Sequence, residues 1–301
     1  MPLVPGVHYA EFNDIDSVKA LISDKTAGVF IEPIQGEGGL YPADPEFMRE
    51  LRALCDKHDA MLITDEVQCG LGRSGTLFAH EAYDVTPDIM TLAKPLAGGL
   101  PIGAVLMSNK VASAITPGQH GTTFGGNPLV CAVANTVLNK IMDEDFLANV
   151  QKRGKYLADR LEKLQQKFPD KVADVRKPIG KGGLFVALEC TKPVGPLITY
   201  ALSKQVLIIS AGEKCVCCAP LTCIASGVLT IVGLCLATFS RAAPFVCARP
   251  LSWTRRTSTS CSTCSSQPSR RAFCKVLQFC HDSQNGRQEK CYLGSEFDMR
   301  S

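Results

Sequence analysis

Leu62-Ile63-Thr64-Asp65-Glu66-Val67-Gln68 and Ile89-Met90-Thr91-Leu92-Ala93-Lys94-Pro95-Leu96-Ala97-Gly98-Gly99 decide how this 301-residue chain folds. Each opens as a short apolar run and ends on a charged side chain, Asp65 in the first and Lys94 in the second. Runs of this length predict buried strands over 60–64 and 89–93. Pro95 drives Lys94 away from helical geometry, and Gly98-Gly99 lets the backbone approach a ligand closely. Working outward, 27–31 and 103–107 repeat the apolar-strand pattern. Between two of these runs, Asp44 and Pro45 start a helix with Phe47, Leu51, Leu54 and Cys55 on one face. Strand, helix, strand in that order predicts an α/β fold with a mostly parallel sheet.

The strand ends carry the chemistry. Positions two apart on an extended chain point the same way, so Asp65 and Val67 can face one site. An amine desolvated there loses part of its preference for the charged form and becomes a nucleophile and base. A carboxylate and an amine on neighbouring strand ends suit pyridoxal phosphate: the amine binds its carbonyl and the carboxylate pairs with its pyridine nitrogen. Taken singly, an aspartate at a strand end is a common turn former, and a lysine before proline is common solvated surface.

Further along, Asn127-Pro128 opens an apolar helix to residue 142, and the Gly-rich loop before it is a natural anion site. A more charged helix is expected over 148–168, with Leu157, Leu161 and Leu164 on one stripe. A strand at 184–188, a helix at 196–204 and a strand at 206–209 complete the regular pattern. A short helix is expected over 14–22.

Five blocks in one order resemble the class-III, fold-type-I aminotransferases. They are Glu32-Pro33-Ile34-Gln35-Gly36-Glu37-Gly38-Gly39, Asp65-Glu66-Val67-Gln68, Gly70-Leu71-Gly72-Arg73-Ser74-Gly75, Ala93-Lys94-Pro95-Leu96-Ala97-Gly98-Gly99 and His120-Gly121-Thr122-Thr123-Phe124-Gly125-Gly126-Asn127-Pro128-Leu129. The third and last blocks resemble the acetylornithine type more than the ornithine or 4-aminobutyrate types. The resemblance implies pyridoxal phosphate held covalently by Lys94, with Asp65 on the pyridine nitrogen, Val67 on the ring face and Gln68 on the ring oxygen. Thr123 would reach the phosphate in the partner subunit of a homodimer. Glu37 would contact substrate by pairing with an arginine nearer the C-terminus, and Glu32 would support the site. The implied reaction is transamination between N2-acetylornithine and 2-oxoglutarate in arginine biosynthesis. The family pattern also supplies over a hundred residues before the equivalent of Met1, including a phosphate-holding Gly-Thr-Glu-Ala-Asn stretch. This chain is therefore expected to turn over poorly.

By the same pattern, 1–145 is the second half of the large cofactor domain, 146–213 part of a small α+β domain, and 214–301 an aberrant, disordered tail. Residues 1–214 hold 22 Lys+Arg against 25 Asp+Glu, whereas 215–301 hold 10 against 4. Eleven of the fifteen cysteines also lie in that last segment. A frameshifted or intron-retaining transcript, giving a non-catalytic product, is the alternative from another class. Cys261-x-x-Cys264 has zinc spacing without a second pair, so no metal is expected. The apolar run 216–239 is long enough to span a bilayer but is broken by Pro220 and rich in cysteine, which argues against a membrane role. The basic tail has no aromatic interleaving, which argues against nucleic acid. No targeting segment opens the chain. The resemblance places a eukaryotic parent in the mitochondrial or chloroplast matrix and a bacterial one in the cytoplasm.

Overall fold

A computed structural model of the chain describes residues 6–217 and the backbone of Leu277–His281 and Gln288–Tyr292. The first sheet has the order β1 (Gly28–Ile31), β4 (Met61–Asp65), β5 (Ile89–Leu92), β6 (Ala104–Met107). The pairs β1–β4 and β4–β5 are parallel and β6 is antiparallel to β5. Two short strands, β2 (Ile34–Gln35) and β3 (Tyr41–Pro42), form a small ribbon beside it. Each apolar run reads as a strand because its side chains have apolar partners on a face. Ile31, Leu62, Met90 and Leu92 are buried on the side covered by α2 (Pro45–Lys57) and α4 (Pro128–Ile141). The opposite side carries Phe30, Ile63, Asp65, Ile89, Thr91 and Val105 in register, and it is more open: Phe30 is 76% exposed.

Helix α1 (Ile15–Leu21) is capped by Asp14, whose Oδ1 accepts from Asp16 N and Ser17 N. Asp44 holds the N-cap position of α2 but makes no side-chain cap bond, a correction to the sequence reading. Its backbone N–H donates to Asn13 Oδ1 at 2.8 Å. The helix survives this because burial outweighs it. Phe47, Met48 and Leu51 each contribute about 1.5–3 kcal/mol on burial, against about 1 kcal/mol for a cap.

The second sheet has the order β7 (Val172–Arg176), β8 (Ala187–Cys190), β10 (Cys215–Cys217), β9 (Ile209–Ser210), with every pair antiparallel. Helix α6 (Gly195–Ser203) joins β8 to β9. Helix α3 (Asn109–Ala114) follows β6, and α5 (Glu144–Lys167) leads into β7. Three expectations change here. Helix α5 buries Val150, Gly154 and Ala158, not the leucine stripe, and Leu164 is exposed. A Cβ on Gly154 would strike the Gly183 backbone, so the helix can cross there only at a glycine. Strand β7 appears where no strand was expected. Its bulge and its Asp174 and Arg176 hide the alternation.

The third change concerns the boundary at Glu213. Cys215, Val216 and Cys217 are buried in β10 between two strands, so regular pairing continues past it. Leu277–His281 and Gln288–Tyr292 also pair antiparallel as β11 and β12. Beyond Cys217, the apolar run 216–239 lies outside the described residues, as do Cys261 and Cys264 and the rest of the segment read as disordered. Among the described residues no helix is long and apolar enough to cross a membrane, and no group of three His, Cys, Asp or Glu could hold a metal ion.

Candidate active site

The carboxyl ends of β1, β4 and β5 converge, as open parallel sheets favour for ligand sites. Strand β4 delivers Asp65. Asp65 Oδ1 accepts from Val67 N at 2.9 Å, so the chain turns at once over residues 67–70. Asp65 and Val67 are thus brought together by an Asx-type turn and not by strand alternation, which corrects the sequence reading. The next side chain, Gln68, packs against Gly36, where a Cβ would collide with its amide. Gln68 Nε2 donates to Glu37 Oε1 at 3.3 Å. Lys94, in the turn after β5, brings Nζ within 3.9 Å of the same Oε1. The turn is held by Leu96 N donating to Ala93 O and Gly98 N to Pro95 O.

Lys94 is not desolvated: 40% of its side chain is exposed, and so is 79% of Glu37. The sequence reading of a buried amine is corrected on this point. Glu32 is half-buried, and its Oε2 accepts from Gly36 N at 3.1 Å. Burial pushes its carboxyl above the ordinary glutamate value, with the Asp65 charge adding and the Gly36 N–H and Lys94 opposing. Glu32 thus feels the charges of Asp65, Lys94 and Glu37, and of the three carboxylates Glu37 is the one that meets the Lys94 amine.

Beneath the site lies a residue that the sequence reading quoted but gave no role. Glu66 is 0% exposed. Its Oε2 accepts from Ala79 N at 2.6 Å, and its Oε1 accepts from His80 N at 2.9 Å and meets His80 Nδ1 at 2.7 Å. The alternation of β4 was the available signal, because it sends Glu66 to the side opposite Asp65. Asp88 does comparable work one strand over: Oδ2 accepts from Leu62 N and from Arg52 Nη1, both at 2.8 Å, fastening β4 to the start of β5.

Thr123 lies exposed on the loop between α3 and α4. At the end of that loop Asn127 Oδ1 accepts from Leu129 N and Val130 N, as the sequence predicted for a cap. Those two N–H groups are thereby occupied, which weakens the loop as a bare anion site. A cavity of about 290 Å³ lies nearby, lined by Gly103, Thr122, Phe124 and Asn127 among others. None of Lys94, Asp65, Gln68 or Thr123 lines it, so the cavity and the strand-end cluster are separate places.

The donor set fits the expected cofactor. Lys94 offers an accessible amine, Asp65 a carboxylate on the open side of the sheet, and Gln68 an amide that already meets a charged oxygen. Residues 5–232 match the family described as aminotransferase class-III. A probable mitochondrial acetylornithine aminotransferase of Dictyostelium discoideum is 57% identical over 226 residues, which are 73% of this chain and 49% of that protein. The chain spans about half the length of the curated relatives it matches. Among solved structures, the acetylornithine aminotransferase of Elizabethkingia anophelis superposes with a TM-score of 0.66 at 36% identity, over 73% of this chain and 56% of that one. The ornithine aminotransferase of Toxoplasma gondii gives 0.68 at 32%, over 73% and 52%. By the extent of that match, this chain belongs to the class-III aminotransferases.

Proposed function

We propose that this chain carries the reactive half of a pyridoxal-phosphate-dependent transaminase, with N2-acetylornithine as amino donor and 2-oxoglutarate as acceptor, in arginine biosynthesis. Class-III aminotransferases are pyridoxal-phosphate-dependent. The observation that carries the reading is the meeting of Lys94, Glu37 and Gln68 beside Asp65 at the ends of three neighbouring strands. Bound there, the cofactor supplies a carbonyl for capturing an amine and a ring that draws electrons from it. Lys94 Nζ would make the covalent attachment and would carry the substrate proton. Asp65 has one oxygen engaged by Val67 N–H and offers Oδ2 to hold a proton on the pyridine nitrogen. Val67 would cover the ring, and Gln68 would supply its amide to the ring oxygen. Glu37 stands where a donor's polar end arrives. Thr123 acts across a homodimer, on the partner's phosphate. The large-domain and small-domain halves at 1–145 and 146–213 follow from the same reading, as does a mitochondrial location for a eukaryotic parent, which the Dictyostelium relative's description supports.

The test is borohydride reduction of the protein with saturating pyridoxal phosphate, followed by peptide mapping. The pyridoxyl group is expected on Lys94. A label on Lys110 or Lys140 would overturn the assignment. The superposition on an ornithine aminotransferase favours ornithine as the second donor, and single-turnover rates with N2-acetylornithine and ornithine separate the two.

A further inference from the structure

Glu37 sits on a turn with almost no stiffness of its own. In Gly36-Glu37-Gly38-Gly39 three of four residues are glycine. Glycine confers the largest backbone freedom, and an exposed ion pair holds a side chain only weakly. Glu37 nonetheless meets both Gln68 and Lys94, so the turn must be fixed from outside. One end is fixed by Glu32, which accepts the Gly36 N–H. Gly39 N and Leu40 N then both donate to Gly36 O at 3.2 Å, closing the turn.

The other end is fixed from the second sheet. Arg176, on β7, has a side chain only 10% exposed. Its Nη1 donates to Gly39 O at 2.6 Å, its Nε meets Asp174 at 3.2 Å, and its Nη2 pairs with Glu189. Its Cζ lies 3.9 Å from the centre of the Tyr41 ring. A planar five-donor fork can satisfy a carbonyl, two carboxylates and an aromatic face together, which a lysine cannot. Cys215 Sγ donates to the same Gly39 O at 3.4 Å. Gly39 itself has φ +120, and a Cβ there would fall 3.0 Å from Arg176 Nη1.

We propose that Arg176 is a positioning residue: it latches the Glu37 turn to the second sheet and so sets where the Glu37 carboxylate stands relative to Lys94. The consequence for donor selection rests on the reading of Lys94 and Glu37 given above. In that reading, a shift of the second sheet against the first is transmitted to Glu37 through Gly39 O and the neighbouring Tyr41 ring.

The test reads geometry and needs no turnover. Zero-length carbodiimide coupling joins an amine to a carboxylate only where the two touch. The yield of the Lys94–Glu37 cross-link is measured by mass spectrometry, with Lys110–Asp59, a long-range pair between α3 and the turn after α2, as the internal reference. Arg176→Met is expected to lower the Lys94–Glu37 yield at least about fivefold, the scale of losing a charge-assisted hydrogen bond, while leaving the reference unchanged. A yield within about twofold of the parent, with the reference intact, overturns the proposal. Should Arg176→Met lose both cross-links, Tyr41→Leu decides. It removes the stacking face but keeps the ion pairs, so a fall confined to Lys94–Glu37 supports the latch and no fall overturns it. Because no cofactor is present, this result is independent of whether borohydride labels Lys94.

Discussion

Replacing Glu66 with glutamine changes one atom at the centre of the molecule and should be costly. The carboxylate is wholly buried and receives three donors: Ala79 N–H, His80 N–H and the His80 ring at Nδ1. Glutamine keeps one oxygen. With that oxygen toward His80, the new amide NH2 faces Ala79 N–H. With it toward Ala79, the NH2 faces His80 N–H. Either way one buried backbone N–H loses its acceptor, which costs about 1–3 kcal/mol. The bonds that remain are no longer charge-assisted, which removes about 1 kcal/mol more from each. The neutral amide is easier to bury than a carboxylate, and that returns part of the loss. The net expectation is a destabilisation of about 2–4 kcal/mol, close to the ~3–5 kcal/mol for breaking a buried pair outright.

Urea unfolding followed by far-ultraviolet circular dichroism checks this at neutral pH. With a slope of about 1–3 kcal/mol per molar, the midpoint should fall by about 1 M or more. A His80→Leu variant and the Glu66→Gln/His80→Leu double variant complete a cycle, and a coupling above about 1 kcal/mol is expected for groups in direct contact. A Glu66→Gln midpoint within the error of the parent would refute the reasoning. It would mean that the strand-to-helix connection carrying Asp65 and Val67 is held by something other than this carboxylate.

Asp65→Asn should lower the single-turnover rate by about a hundredfold or more while pyridoxal phosphate still attaches, because an amide cannot hold a proton on the pyridine nitrogen; near-parental half-reaction rates would contradict the role given to Asp65. Thr64→Val should stabilise the fold by about 1 kcal/mol, since Thr64 Oγ1 is buried with no hydrogen-bond partner among the described residues and valine fills the same shape; a lowered urea midpoint would show that the hydroxyl has a partner. Glu32→Gln should flatten the pH dependence of stability. A carboxyl raised by burial makes the folded state bind more protons, so its unfavourable contribution is absent below the ordinary glutamate value and grows as pH rises through the higher folded value. The parent minus variant difference in unfolding free energy should therefore become more negative across that window, and a difference independent of pH would reject the assignment.

What the sequence made legible is what neighbours in the chain decide. Asp14 and Asn127 cap helices within three residues of themselves. The strand ends at Asp65 and after Leu92 follow from apolar runs that stop. Asp44 holds the N-cap position, yet its carboxylate makes no cap bond, while its N–H is tied to Asn13, 31 residues away. Strand β10 escaped that local logic. Cys215-Val216-Cys217 looks like the start of a cysteine-rich segment, yet its partners Ala187 to Glu189 lie far behind it in the chain. Arg176 was invisible too. Its contact with the carbonyl of Gly39, 137 residues earlier, exists only once the fold brings the two segments together.

The Asp65-Glu66 doublet shows how close legibility came to being complete. Period-two alternation places Leu62, Thr64 and Glu66 on one side of β4, and all three are 0% exposed. It places Met61, Ile63 and Asp65 on the other, where the sheet is open. Glu66 N donates to Thr91 O at 3.0 Å, so pairing with the β5 segment continues one residue beyond the assigned end of β4. Two adjacent carboxylates thus occupy opposite environments. One is exposed enough to meet a ligand, and the other is sealed among donors that fix the backbone between them. Sequence reasoning assigned chemistry to the first because its surroundings matched a site. It had the same alternation in hand for the second, where a buried carboxylate demands partners. His80, fourteen residues on, is the residue that answers that demand.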